Sequence, residues 1–442
     1  MGQEKDIHSQ FYGYLWAYIL VALSGCLGNV VDGIIVGNLI SEDGVSAINL
    51  SKPINQFIFT LHLLINAGAG MLVAYALGQN KIDDARRFFT RALMLSVGLG
   101  LVLTLFGGLL FPNQTARLLC KNEEILPLTR DYMQVLLIGN PAFILMWGLS
   151  TMVGVNGSPK LVSLAVIIDN VVNLCLDIVF IKWFGWGIIG SSAATVVGHL
   201  VGIAILLSHW RNPANRRLRP VFSTDGLSAS WRRIVSQGAP LALASICLTL
   251  LLLSANTIVL STTGRTGIFV FALCMNLLQV YNLFLSGTCQ TLQSLGAIQV
   301  GKGDAEGLRM VIRKAFRFIT VAMIITCVFV WVDPQVIGAL FGADNPAYID
   351  ETDYALRIFA ISFIPFCYIY VMMIVYKLHK YHKMALFISF ALSLTVIPVL
   401  CIIAHVAPDY LWYSYLIAYI IEGIAIFSLH KMGHVSFELK SK

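Results

Sequence analysis

Twelve long apolar runs decide most of what this chain can become. They cover about 11–40, 48–77, 88–110, 129–153, 160–182, 187–209, 236–262, 267–299, 314–332, 354–377, 384–406 and 410–430. A run of about 20 apolar residues crosses the hydrocarbon of a bilayer as one helix. Lipid offers no water to an open backbone, so the runs are predicted as helices rather than strands. Several are longer than one straight crossing needs, which predicts tilt, a bend or an extension beyond the hydrocarbon. Only 12% of the residues are charged, about half the share of a soluble domain, and a soluble surface is excluded. The first run is long and has no small-residue cleavage site after it, so it reads as the first span.

Charge placement sets the orientation. The net charge of +7 would suit nucleic acid, but the basic residues sit in short connections and not on an amphipathic face. With the N-terminus inside, the inner segments (connections, tails and inner span ends) hold 23 of the 30 lysines and arginines, as cytoplasmic loops do. The outer connection 333–353 carries Asp333, Asp344, Asp350, Glu351 and Asp353 and no basic residue. Both termini are therefore expected in the cytoplasm of a cell with a bacterial inner (plasma) membrane. Eight of the nine cysteines lie inside apolar runs, and Cys120 lies in an outer connection. No pair has metal-ligand spacing, and no disulfide framework is implied.

The chain repeats itself weakly. Residues 80–85 match 301–306, Phe111-Pro112 match Asp333-Pro334, and Asp131-Tyr132 match Asp353-Tyr354, at spacings of 221, 222 and 222. Constant spacing predicts two homologous halves of six spans each. Both then enter the membrane from the same side, related by an axis along its normal. The expected domains are a six-helix bundle over 1–210, a basic cytoplasmic linker over 211–234 and a second bundle over 235–442. The fold class is an all-α integral membrane protein of twelve transmembrane helices.

Acids inside the spans single out the chemistry. They are Asp32, Asp169, Asp177 and Glu422. A carboxyl group in hydrocarbon is costly and ordinarily faces a cavity or a partner. Asp32 lies in a glycine-rich stretch with Gly25, Gly28, Gly33 and Gly37, where a helix bends readily. Asp169, Asn173 and Asp177 are four residues apart and share a helical face. With Thr195 in the next span they offer carboxylate, carboxamide and hydroxyl oxygens, a donor set that suits a hard cation. Asp169, nearer the cytoplasmic end, is open to the reading that it only lines an approach. Glu422 could pair with Lys377 or His379, or meet a cationic substrate. No acid occurs in spans 7 to 11, and Asn256 stands near the counterpart of Asp32. His62 and His199 read as packing or hydrogen-bonding imidazoles. Met275, Tyr281 and Tyr368, with Glu422, are candidate cavity residues, because aromatic faces attract organic cations and methionine adapts to varied shapes.

The order of VDGIIVGNLIS at 31–41, AINLSKPI at 47–54, Ala67-Gly68-Ala69-Gly70, LGQNK at 77–81, NGSPK at 156–160, and NVVNLCLDIVFI through GWGIIGSSAATVVG across spans 5 and 6 resembles the multidrug and toxic compound extrusion (MATE) family. The resemblance covers nearly the whole chain. It implies two six-helix bundles forming a V around a cavity, and export of drugs in exchange for H⁺ or Na⁺. It also implies a cation site in the first bundle, at positions matching Asp32, Asn173, Asp177 and Thr195. These would be metal ligands if the ion is Na⁺. Some members use acids on helices 7 and 10, and this sequence has none there. The expected function is an alternating-access antiporter for small cationic or amphiphilic organic compounds. It would work as a monomer in the lipid bilayer, with no cofactor beyond the coupling ion. A flippase for a lipid-linked precursor is the alternative, disfavoured by the scarcity of intramembrane Lys and Arg. No nucleophile–base pair or His-rich metal motif marks an enzyme.

Overall fold

The computed structural model describes residues 2–40, 42–120, 123–221, 227–334 and 346–432; a few side chains within these ranges, that of Asp32 among them, lie outside the described part of the structure. The described residues are helical nearly throughout and contain no strand. Among the described residues, twelve segments are long and apolar enough to cross a membrane: α1 (Ile7–Gly28), α2 (Leu50–Gly78), α3 (Ile82–Leu110), α4 (Leu126–Val155), α5 (Pro159–Trp183), α6 (Gly187–Arg211), α7 (Leu227–Gly264), α8 (Phe269–Lys302), α9 (Ala305–Val332), α10 (Asp350–Leu378), α11 (His382–Val406) and α12 (Pro408–Leu429). Each of the twelve predicted spans meets one of them. The α1 helix itself runs from Gly2 to Leu39. Between α7 and α8 the backbone breaks at Gly264, with φ 68° and ψ −154°, a conformation that is essentially glycine's alone.

Four turns carry the internal repeat into the backbone. The helices α2, α4, α8 and α10 each end on a left-handed residue: Asn80, Gly157, Gly303 and Lys380. At each, two backbone bonds close the same reverse turn; after α2 they run from Asn80 N–H to Leu77 O and from Lys81 N–H to Ala76 O. This paired bonding satisfies carbonyls that a helix end leaves open. Asn80 and Gly303 are 223 positions apart, and so are Gly157 and Lys380. The repeat read from the sequence at 221 to 222 is thus the same repeat, measured from landmarks that sit in loops of slightly different length.

The chain divides into two compact units, Tyr12–Ala239 and Pro240–Lys442 with Met1–Phe11. In the first, α1 lies along α5 through Ser163 Oγ to Ala17 O at 2.7 Å and Asn170 Nδ2 to Ser24 Oγ at 2.9 Å. A π-helical turn at Leu63–Ala67 widens α2. Next to it the backbones of α2 and α7 touch: a Cβ on Gly238 would lie 1.9 Å from Leu64 O, and one on Gly68 2.2 Å from Ile234 O. Small residues permit such an approach between membrane helices.

The stretch expected as a linker is fastened to α3. Val221 N–H donates to Thr90 Oγ1 at 2.7 Å, Trp231 Nε1 donates to Arg91 O at 3.3 Å, and the Arg91 guanidinium donates to Ser230. Trp210 stacks on Phe89 with ring centres 5.8 Å apart. In the second unit the core is aromatic: Phe271, Phe359, Phe363, Trp412 and Tyr415 meet edge-on or tilted, arrangements that ring quadrupoles favour.

Candidate functional site

In the first unit, candidate polar side chains of α5 and α6 meet, and the sequence explains why. Gly190 and Gly198 remove side chains from the face of α6 that approaches α5. A Cβ on Gly190 would lie 3.0 Å from Phe180 Cβ, and one on Gly198 2.6 Å from Asp169 Oδ1. Close approach brings Asn173 Nδ2 to Thr195 Oγ1 at 3.1 Å, and Thr195 donates in turn to Ser191 O at 3.2 Å. This orientation leaves the Asn173 carbonyl oxygen as an acceptor, the atom a cation would need. Asp177, one turn further along α5, is fully buried. Asn173, Asp177 and Thr195 therefore supply a carboxylate, a carboxamide oxygen and a hydroxyl within one helix pair, a set that fits a hard monovalent cation. The Asp32 side chain, the fourth expected member, lies outside the described residues.

Asp169 has a different setting. It is 6% exposed, and both its oxygens face His199 Nδ1, at 2.9 and 3.1 Å. When the Asp169 carboxyl is ionised it only accepts, and Nδ1–H is then the donor. Expected as a hydrogen-bonding imidazole, His199 is one, and its partner is an acid named from the sequence. His62 is the other: it meets Asn66 Nδ2 at 3.1 Å, and Asn66 Oδ1 accepts from Ser96 at 3.1 Å. Among the described residues no group of three or more His, Cys, Asp or Glu is placed to hold a metal.

Sequence reasoning missed Asn140. It is completely buried on α4, and among the described residues neither its Oδ1 nor its Nδ2 has a hydrogen-bond partner. It lines a small cavity with Asn55, Thr195 and His199. The available signal was its position: Asn140 immediately precedes Pro141, a proline in the middle of α4.

In the second unit the candidates scatter. Tyr281 is a core residue, fully buried, its hydroxyl donating to Ala360 O at 3.0 Å. Tyr368 stacks on Phe316, shares a hydrogen bond with the Thr320 hydroxyl, and lines an apolar groove of about 510 Å³ with Pro365, Tyr419 and Phe427. Met275 is half-buried elsewhere. Glu422 is 1% exposed and makes neither of the pairs considered for it: among the described residues both its oxygens lack a partner, and it forms no ion pair with Lys377 or His379. Lys377 is itself fully buried.

Comparison with known proteins fits this architecture. The MatE family model matches twice, at residues 17–179 and 240–402, again 223 positions apart. Multidrug export protein MepA of Staphylococcus aureus is 22% identical over 345 residues, 77% of this chain and 76% of that protein. MepA of Staphylococcus haemolyticus is 22% identical over 283 residues, 63% of this chain and 62% of that one. Among solved structures, a mutant of the Vibrio cholerae MATE transporter VcmN matches with a TM-score of 0.90 at 19% identity, all of each chain being covered. A MOP superfamily transporter from Pyrococcus furiosus matches at 0.87 and 18%, covering 98% of this chain and 96% of that one. At these identities the structures establish the fold. The family match reaches more than half of the sequence and recurs in each half, and on it the chain belongs to the MATE family of multi-pass membrane transporters.

Proposed function

We propose that this protein exports small organic compounds from the cytoplasm in exchange for H⁺ or Na⁺, by alternating access, with both termini inside. The observation that carries the reading is the Asn173–Thr195 contact at 3.1 Å beside the fully buried Asp177. The register of α1 on α5 extends it. Ala17 meets Ser163 and Ser24 meets Asn170, a step of seven on each helix. One further step of seven would pair position 31 with Asp177, which supports assigning Asp32 to the same site. Cation uptake at Asp32, Asn173, Asp177 and Thr195 reshapes α1 and favours release of the organic compound outside. A ligand shifts such an equilibrium only by its difference in affinity for the two states, and Asp32 on a glycine-rich helix supplies that difference. Asp169, held by His199, supports α5 beneath the site. Organic cations are the expected cargo, and the relatives named multidrug export proteins favour a broad range of compounds.

The test uses proteoliposomes loaded with a fluorescent organic cation. A pH gradient and a Na⁺ gradient are imposed separately, with Asp32→Asn as control. Dye movement driven by one gradient and lost in the variant is expected and names the ion. No movement under either gradient, in protein shown to be folded, overturns antiport of organic cations and turns attention to lipid-linked or anionic cargo.

A further inference from the structure

The cavity lined by Asn140 has a composition that specifies its guest. It lies between α2, α4 and α6, contributed by Asn55 and Ile58, by Leu136, Gly139, Asn140 and Phe143, and by Thr195, Val196 and His199. Pro141 and Gly139 flank Asn140 on α4, and a Cβ on Gly139 would lie 2.1 Å from a Val196 methyl. The carboxamide of Asn140 is held here with nothing to bond. Its Oδ1 and Nδ2 are both buried and unpartnered among the described residues, and so is His199 Nε2, whose ring is fixed by the Asp169 carboxylate on its other nitrogen. Leaving three such atoms unmet in a membrane interior is expensive. The cavity measures about 10 Å³, the room one water molecule requires.

From this geometry we infer that the cavity is a binding site for a single water molecule, held by Asn140 and His199 and touching Thr195. The guest must both donate and accept, because Asn140 presents one group of each kind. It must also need no counter-charge, because no carboxylate lines the cavity. Those two requirements select water over a bare cation. The bound water ties α4 to α6. It also joins two polar pairs that the protein alone leaves separate, Asn173–Thr195 and His199–Asp169. Asn140 thereby becomes a positioning residue for Thr195, acting through the water. The inference stands on the cavity and its unpartnered atoms and does not depend on which ion or compound is transported.

Two measurements decide it. In an experimental map of the wild-type protein at about 2 Å, one peak is expected within hydrogen-bonding distance of both Asn140 and His199 Nε2. An empty cavity, or a peak with strong anomalous signal after exchange into Rb⁺, overturns the water site. The second measurement is the melting temperature of Asn140→Leu, which keeps the volume and removes the amide. With a water present, the change strands that water and His199 Nε2, and the melting temperature falls by a few degrees. If the cavity is dry, the change only removes an unsatisfied amide, and a rise in melting temperature overturns the inference.

Discussion

Thr104 Oγ1 donates to the carbonyl of Leu137 at 2.7 Å. That carbonyl is the one Pro141 leaves open, because proline has no N–H to return four residues back along α4. A side chain of α3 thus repairs the backbone of α4, as helix breaks in a bilayer require.

Thr104→Val keeps the shape and removes the donor. It is expected to cost about 1–3 kcal/mol, the penalty for an unsatisfied buried carbonyl, read as a lower melting temperature in detergent. Pro141→Ala supplies a local N–H and should recover much of that loss in the double variant. Equal losses with and without Pro141→Ala would refute the pairing.

Lys380 holds φ 66° at the end of α10, where its repeat partner Gly157 shows that the position accepts glycine. A side chain in this region costs about 1–2 kcal/mol. Lys380→Gly is expected to stabilise the protein by about 1 kcal/mol, since the Lys380 side chain is exposed. A drop in melting temperature would show that the lysine contributes a contact outweighing the strain.

Two glycines with opposite surroundings should respond oppositely to alanine. At Gly238 the new methyl would meet Leu64 O at 1.9 Å, whereas nothing lies within 4 Å of Gly98. Gly238→Ala is expected to destabilise by about 1–3 kcal/mol through overpacking. Gly98→Ala, inside α3, should gain about 0.5–1 kcal/mol. Thermal unfolding of the two variants side by side checks the contrast, and similar behaviour would contradict the backbone contact.

Thr195→Val removes the acceptor that orients Asn173 and leaves Asp177 in place. Loss of such a supporting contact commonly weakens ion binding about 10- to 100-fold. The coupling-ion concentration for half-maximal transport should rise by at least that lower figure, while the variant stays folded. Unchanged ion dependence would remove Thr195 from the cation site.

Glu422 is buried without a partner among the described residues, a condition that costs stability. Glu422→Leu should therefore raise the melting temperature while reducing transport, the trade expected where a strained group serves function. A fall in melting temperature would mean that the carboxyl is structurally satisfied.

The sequence by itself determined the twelve helices, the repeat and the short list of buried polar groups. Length, apolarity and spacing are properties of the chain, and a bilayer admits few backbone solutions to them. The list held Asn173, Asp177 and Thr195 because they stand out against apolar neighbours. Only the tertiary structure decided which of them meet. Asn173 reaches Thr195 because glycines on α6 let two helices approach, and Asp169 meets His199. Among the described residues the Glu422 oxygens did not meet Lys377. Asn140, one asparagine among many, acquired its meaning from a proline beside it and a cavity built by three helices. A sequence records which groups are costly to bury; packing across helices determines what, if anything, each one finds there.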